Sequence, residues 1–128
     1  MGQPVVHFEV VGKDFDKLKS FYADVAGWSY DTLQGAGQDG VPPYAMVPRE
    51  GNTTPEGIGI DGGIAVGPEG YDGHVTFYIE VPDVVASLDQ VEKLGGTRVR
   101  GPESIGDGLV IGLFNDPEGH LIGLIQGH

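Results

Sequence analysis

The sequence predicts an α+β fold built from two halves, each running strand, helix and then three strands. Three observations carry the prediction. Val75, Phe77, Ile79 and Val81 alternate with His74, Thr76, Tyr78 and Glu80, which is the period of a half-buried strand. Pro82 and Asp83 then stop that strand and cap a helix with apolar residues three or four apart, at Val84, Leu88, Val91 and Leu94. The same strand, aspartate cap and helix occur earlier in the chain, with Asp14 and Asp83 standing 69 residues apart.

In chain order, Pro4 to Val11 is a strand with Val6, Phe8 and Val10 on one face and His7 and Glu9 on the other. Gly12 and Lys13 break it. Asp14 caps a helix over 14–26 that carries Phe15, Leu18, Phe21, Tyr22 and Val25 at helical spacing. Gly27 closes this helix, because glycine takes the left-handed conformation a helix end needs. Trp28 opens an extended piece, WSYDTL, and residues 34–43 form a glycine- and proline-marked loop. Tyr44 to Val47 is a short strand, 48–57 is turn-forming, and Ile58 to Val66 reads as a glycine-rich strand.

Residues 67–72, GPEGYD, link the halves, which places a first module at 1–66 and a second at 73–128 within one compact domain. In the second, the helix over 83–95 ends at Gly95 and Gly96. Thr97 to Arg100 is a short strand, 101–108 a loop, Leu109 to Phe114 a strand, NDPEG at 115–119 a turn, and His120 to Gln126 the last strand. The helix-ending Gly27 and Gly96 are again 69 apart, and TPEGIGI at 54–60 echoes DPEGHLI at 116–122. Three independent echoes make an internal duplication the better account.

The chain has room for one domain or two small units sharing a core. Its net charge of −12 argues against nucleic acid or an anionic membrane as partner, and favours a neutral, aromatic or cationic ligand. The absence of cysteine excludes disulfides, thiolate metal sites and cysteine nucleophiles. No apolar run approaches about 18 residues and no charged-then-apolar leader opens the chain, so a soluble cytoplasmic protein is the expectation. Glycine, 23 of 128 residues against an average of about 7%, speaks for short strands and tight loops.

The motifs VVHFEVVGKD, FYADVAGW, GHVTFYIEVPDV, LGGT and FNDPEGHLIGL resemble the glyoxalase, bleomycin-resistance and extradiol-dioxygenase superfamily, the vicinal oxygen chelate proteins. The resemblance covers nearly the whole chain. It implies two βαβββ modules forming a U-shaped, eight-stranded sheet cleft with the helices packed outside. Val6, Phe8, Val10, Val75, Phe77, Ile79 and Val81 would then meet the helices. His7, Glu9, His74, Thr76, Tyr78 and Glu80 would face the cleft, with Tyr44 and Met46 as further walls. A homodimer is also expected, since family members usually bury such sheet edges and rims against a second copy.

Metal-dependent members use one ligand on the first and one on the last strand of each module. By distance from the helix cap, His7 matches the first such position and Thr76 its counterpart, with His74 two residues earlier. The last-strand position of the second module, normally glutamate, falls on Gly123, and in the first module Asp61 is the nearby candidate. A divalent cation here needs at least three His or carboxylate ligands, and the sequence places one. The expectation is therefore no metal and no cofactor, with a divalent metal as the alternative.

Each candidate has a plainer reading beside the functional one: a hydrogen-bonded structural histidine for His7, a rim residue for His74, solvated carboxylates for Glu9 and Glu80, core packing for Trp28 and for the pair Phe21 and Tyr22. No Ser-His-Asp arrangement is readable, and the GxG fragments lack the spacing and lysine of a phosphate loop. Two functions follow as expectations. One is binding of a small aromatic molecule between the modules without a complete metal site. The other is a lyase, isomerase or dioxygenase-like enzyme with a rearranged one.

Overall fold

The computed structural model describes residues 2–32 and 36–128. Their backbone is of the mixed α+β class, with two helices and seven strands of four residues or more. In order these are β1 (Val5–Gly12), α1 (Phe15–Ala26), the two-residue β2 (Asp31–Thr32), β3 (Tyr44–Val47), β4 (Asp61–Val66), β5 (His74–Glu80), α2 (Val84–Lys93), β6 (Thr97–Ser104), β7 (Val110–Asn115) and β8 (Leu121–Gln126).

Both aspartate caps form. The Asp14 carboxylate accepts from the Lys17 N–H and that of Asp83 from the Ala86 N–H, each at 3.1 Å. Gly27 closes α1 at φ 71°, with its N–H on the Ala23 carbonyl. α2 stops earlier than expected, at Lys93, because Gly95 turns left-handed at φ 98° and Gly96 returns its N–H to the Val91 carbonyl.

Several strands differ from expectation. The extended piece at WSYDTL is a strand only at Asp31 and Thr32, which pair with Met46 and Ala45; Leu33 and residues 34–35 of the following loop lie outside the described residues. β4 begins at Asp61 rather than Ile58. The run before it is held otherwise: the Arg49 guanidinium donates to the carbonyls of Gly57 and Gly59, and Gly57 and Ile58 hydrogen-bond Thr54, so 57–60 meet a side chain and a turn instead of a neighbouring strand. β6 runs on through Ser104 where a loop was expected. It does so with two register shifts against β7, Gly101 taking a φ of 92° that a side chain would resist.

The chain forms two compact units, His7–Val75 and Met1–Val6 with Thr76–His128. In the first, the strand order is β2-β3-β4-β1, with β1 parallel to β4 and β3 antiparallel to it. Ile64, Ala45 and Val47 are buried, and Trp28 lies between Phe8 and Tyr22 with ring centroids 5.1 and 5.0 Å away. Trp28 and Tyr22 are packing residues, as the plainer reading has it. Phe21 is not: it meets Tyr22 edge-on and is exposed.

In the second unit the order is β5-β8-β7-β6, with β5 parallel to β8. Val84 and Leu88 of α2 are fully buried against Val81 and Leu124, with Ile79, Val110 and Phe114 around them. The opposite face buries Tyr78, Leu113 and Ile125, and Val6 joins this cluster instead of the helix side. Val75 and Phe77, expected under the helix, are 71% and 40% exposed. α2 has ten residues, or about 15 Å, and its two buried side chains reach only the later part of β5.

Two outcomes follow. Leu88→Ala removes a fully buried side chain from a cluster that cannot close over it, and lowers unfolding free energy by about 2–5 kcal/mol in chemical denaturation. At the 115–119 turn, backbone N–H groups of His120 and Glu118 and the His120 ring hold the Asp116 carboxyl below its ordinary 3.8. A depressed folded value means its contribution is fully present above the ordinary value and is lost as pH falls through the folded one. Asp116→Asn therefore flattens the acid limb of the stability–pH curve while changing its neutral-pH shape little.

Candidate functional site

The site begins with two glycines. β4 reads DGGIAV, and Gly62 pairs with Phe8 while Gly63 pairs with Glu9. A Cβ at Gly62 would overlap the Phe8 ring, and one at Gly63 would overlap the Tyr44 ring and hydroxyl. The two bare positions point to opposite faces of the strand. Phe8 leans over one toward Trp28 and α1; Tyr44, reaching from β3 diagonally across β4, leans over the other. Its hydroxyl thereby arrives at β1.

There it meets both polar residues of the β1 face. The Tyr44 hydroxyl donates to Glu9 Oε2 at 3.0 Å and lies 3.0 Å from His7 Nε2. Since the phenol has one proton and gives it to Glu9, His7 is the donor in the second bond and carries its proton on Nε2. On the other carboxylate oxygen, His74 Nε2 stands 3.8 Å from Glu9 Oε1, with both side chains mostly buried. His74 Nδ1 is hydrogen-bonded to the Tyr71 hydroxyl, and Nε2 is buried without a hydrogen-bond partner. Tyr71 sits edge-on to the imidazole at 5.7 Å, its ring over Gly67, where a Cβ would strike it.

Of the residues singled out from sequence, His7, Glu9, Tyr44 and His74 thus come together inside the His7–Val75 unit. Met46 lies two residues along β3 from Tyr44, pairs with Gly63 and is half-buried. Thr76, Tyr78 and Glu80 belong to the other unit. Thr76 is buried, its hydroxyl donating to the Leu121 carbonyl at 2.5 Å. Tyr78 is buried with its ring over Gly123, and Glu80 is half-buried, its N–H on the Pro4 carbonyl. Sequence reasoning missed Tyr71, set aside in the linker, and Gly63, whose role is to be absent. A glycine pair in mid-strand beside an aromatic-bearing strand was the available signal for the latter.

Of the four metal-type positions, His7 has its Nε2 on the Tyr44 hydroxyl, and the other three differ. Asp61 pairs with His7, but its Oδ1 accepts the Arg49 N–H at 2.7 Å. The Thr76 hydroxyl is committed to a carbonyl, and Gly123 offers no side chain, the volume one would fill being taken by the Tyr78 ring. These residues do not make the four-ligand set that the resemblance implies. Among the described residues no three His, Asp or Glu side chains are grouped as a metal site, and no helix is long and apolar enough to cross a membrane.

The sequence profile of the Glyoxalase/Bleomycin resistance protein/Dioxygenase superfamily matches residues 5–124. Proteins of Mycobacterium bovis and Mycobacterium tuberculosis, each named "Putative glyoxylase CFP32", are 32% identical to the chain over 115 residues, covering 90% of it and 42% of their own length. The chain thus spans less than half of these relatives. Among solved structures, a variant of Streptomyces coelicolor methylmalonyl-CoA epimerase in complex with 2-nitronate-propionyl-CoA superposes with a TM-score of 0.62 at 16% identity, over 97% of this chain and 96% of that one. A superfamily member from Vibrio splendidus 12B01 gives 0.59 at 18% identity, over 98% and 99%. At such identities the likeness is one of fold.

The dependence of the cluster on Gly63 is testable. Gly63→Ala pushes the Tyr44 ring off β4 and costs about 1–3 kcal/mol by denaturation. In a Tyr44→Ala background the same substitution costs little, because the group it strikes is gone. Equal costs in both backgrounds would refute the arrangement.

Proposed function

We propose that this chain, which belongs to the Glyoxalase/Bleomycin resistance protein/Dioxygenase superfamily, binds a small, mostly apolar, aromatic molecule without a metal, and that the ligand is neutral or cationic. The observation that carries the reading is the Tyr44 hydroxyl bridging His7 and Glu9 on the strand face turned away from α1. A carboxylate kept on a sheet face has a desolvation cost that function explains better than stability does. Glu9 and the net charge of −12 select against carboxylate and phosphate ligands. Thr76 and Gly123, at two of the places where metal-dependent members carry ligands, support a metal-free site. The reading takes residues 1–66 and 73–128 as the two βαβββ modules of the family, joined by 67–72, with the ligand held at the Glu9 cluster.

One observation favours a second reading, an isomerase, lyase or dioxygenase-like enzyme with a rearranged metal site: His7 and Asp61 are direct register partners on adjacent strands. The names of the relatives and solved structures, a glyoxylase and an epimerase, are of that class. Native mass spectrometry of untagged protein from cell extract separates the two. The binding reading expects a neutral or cationic organic ligand and well under one Zn, Ni, Mn or Fe per chain. One equivalent of metal, lost in His7→Ala, promotes the enzyme. For the favoured reading, Glu9→Gln retains less ligand while the melting temperature holds or rises. A loss of more than about 2 kcal/mol in stability with ligand retention unchanged makes Glu9 structural instead.

A homodimer belongs to the same proposal. Val75 and Phe77 leave apolar surface on β5 that a second copy would cover. Light scattering should report dimer at about 10 µM, a concentration at which an interface of standard size is already occupied; monomer alone counts against it.

A further inference from the structure

We propose that His74 is a positioning residue that holds the Glu9 carboxylate in one orientation, and that the segment between β4 and β5 controls it through Tyr71. The inference rests on Glu9 being the recognition group proposed above. Three features of one unit lead to it. The Tyr71 ring, though partly open to solvent, is seated over Gly67, which sets where its hydroxyl is presented. That hydroxyl is hydrogen-bonded to His74 Nδ1. The far nitrogen of the same imidazole is buried, lacks a hydrogen bond, and faces Glu9 Oε1 at 3.8 Å.

The direction of the protons follows. A buried imidazole nitrogen turned to a carboxylate is favourable only as an N–H, because two acceptors facing each other repel. With the proton on Nε2, Nδ1 is the acceptor and the Tyr71 hydroxyl the donor. Tyr71, donating to Nδ1, thus reinforces the tautomer that the Glu9 carboxylate favours. Glu9 is then addressed on both oxygens, by Tyr44 at Oε2 and by His74 at Oε1. The Tyr44 hydrogen bond at one oxygen and the His74 N–H facing the other together oppose rotation of the carboxylate. Gly73, with φ 103° and no room for a Cβ beside the Val11 carbonyl, sets the backbone angle at which His74 enters the strand. The Lys13–Asp72 ion pair, at 2.9 Å, ties the same segment to the end of β1 at the surface.

The test needs no ligand, so its failure is separable from failure of the binding reading. Nitrogen-15 spectra of the histidine rings report which nitrogen is protonated, and the carbon-13 signal of the Glu9 carboxyl reports its surroundings. In the native protein His74 should be the Nε2–H tautomer, and in Tyr71→Phe, where Glu9 alone selects it, the Nε2–H share should fall. His74→Ala should move the Glu9 signal, and His74→Gln, whose amide N–H reaches a similar distance, should bring it back. A native Nδ1–H tautomer overturns the proposal. So does a Glu9 signal that is the same in the native protein, His74→Ala and His74→Gln.

Discussion

The structure of the His7–Val75 unit turns on two missing side chains. Gly62 and Gly63 leave β4 bare on both faces, and each bare position receives an aromatic ring from a neighbouring strand. Phe8 uses one to join Trp28 and Tyr22 beneath α1. Tyr44 uses the other to carry a hydroxyl across the strand to His7 and Glu9. The hydrophobic side of the unit and its polar side are therefore fixed by adjacent residues of one strand. A change at either would be felt at both, because the rings cannot move without the backbone between them.

The polar side needs that fixity more than the core does. A carboxylate on a sheet face is stable when its oxygens are met by donors, and long flexible partners would meet it only part of the time. The described partners here are rings: a phenol packed on a glycine and an imidazole in contact with a second phenol. Rings with two side-chain torsions lose little freedom when they are held. The unit thus keeps a charge oriented at small entropic cost.

Much of this architecture was legible in the sequence, and the reasons differ by element. Asp14, Asp83 and Gly27 declare the helix ends because capping is local chemistry. The face of β1 that carries His7 and Glu9 follows from strict alternation. Where the sequence misled, a distant partner decided. Arg49 and Thr54 hold residues 57–60 by bonds outside the sheet, and nothing in the run GIGI announces it. Phe77 alternates correctly yet lies beyond the reach of a ten-residue helix, since alternation fixes a face and not what covers it. Tyr71 was hidden by composition: GPEGYD reads as a linker, and it takes the folded chain to show its ring on Gly67.

The two units also differ at positions that stand equally far from their helix caps. By distance from the helix cap, Glu9 and Tyr78 are counterparts, and each pairs across a parallel ladder with a glycine, Gly63 or Gly123. In the first unit the residue beside the glycine is a carboxylate, and the ring that fills the gap comes from another strand, bringing its hydroxyl to the acid. In the second, the counterpart itself is the aromatic residue, and its ring fills the gap beside it and becomes core with Leu113 and Ile125. The register changes with it. Seven residues after Thr54, Asp61 pairs with His7, whereas seven residues after Asp116, Gly123 pairs with Tyr78, two places further along its strand than Thr76. A slip of two residues keeps every side chain on its face while changing which side chains are neighbours. The second unit closes over a tyrosine, and the first keeps its polar face. A glycine opposite the first ladder strand serves packing in one unit and a hydrogen-bonded acid in the other.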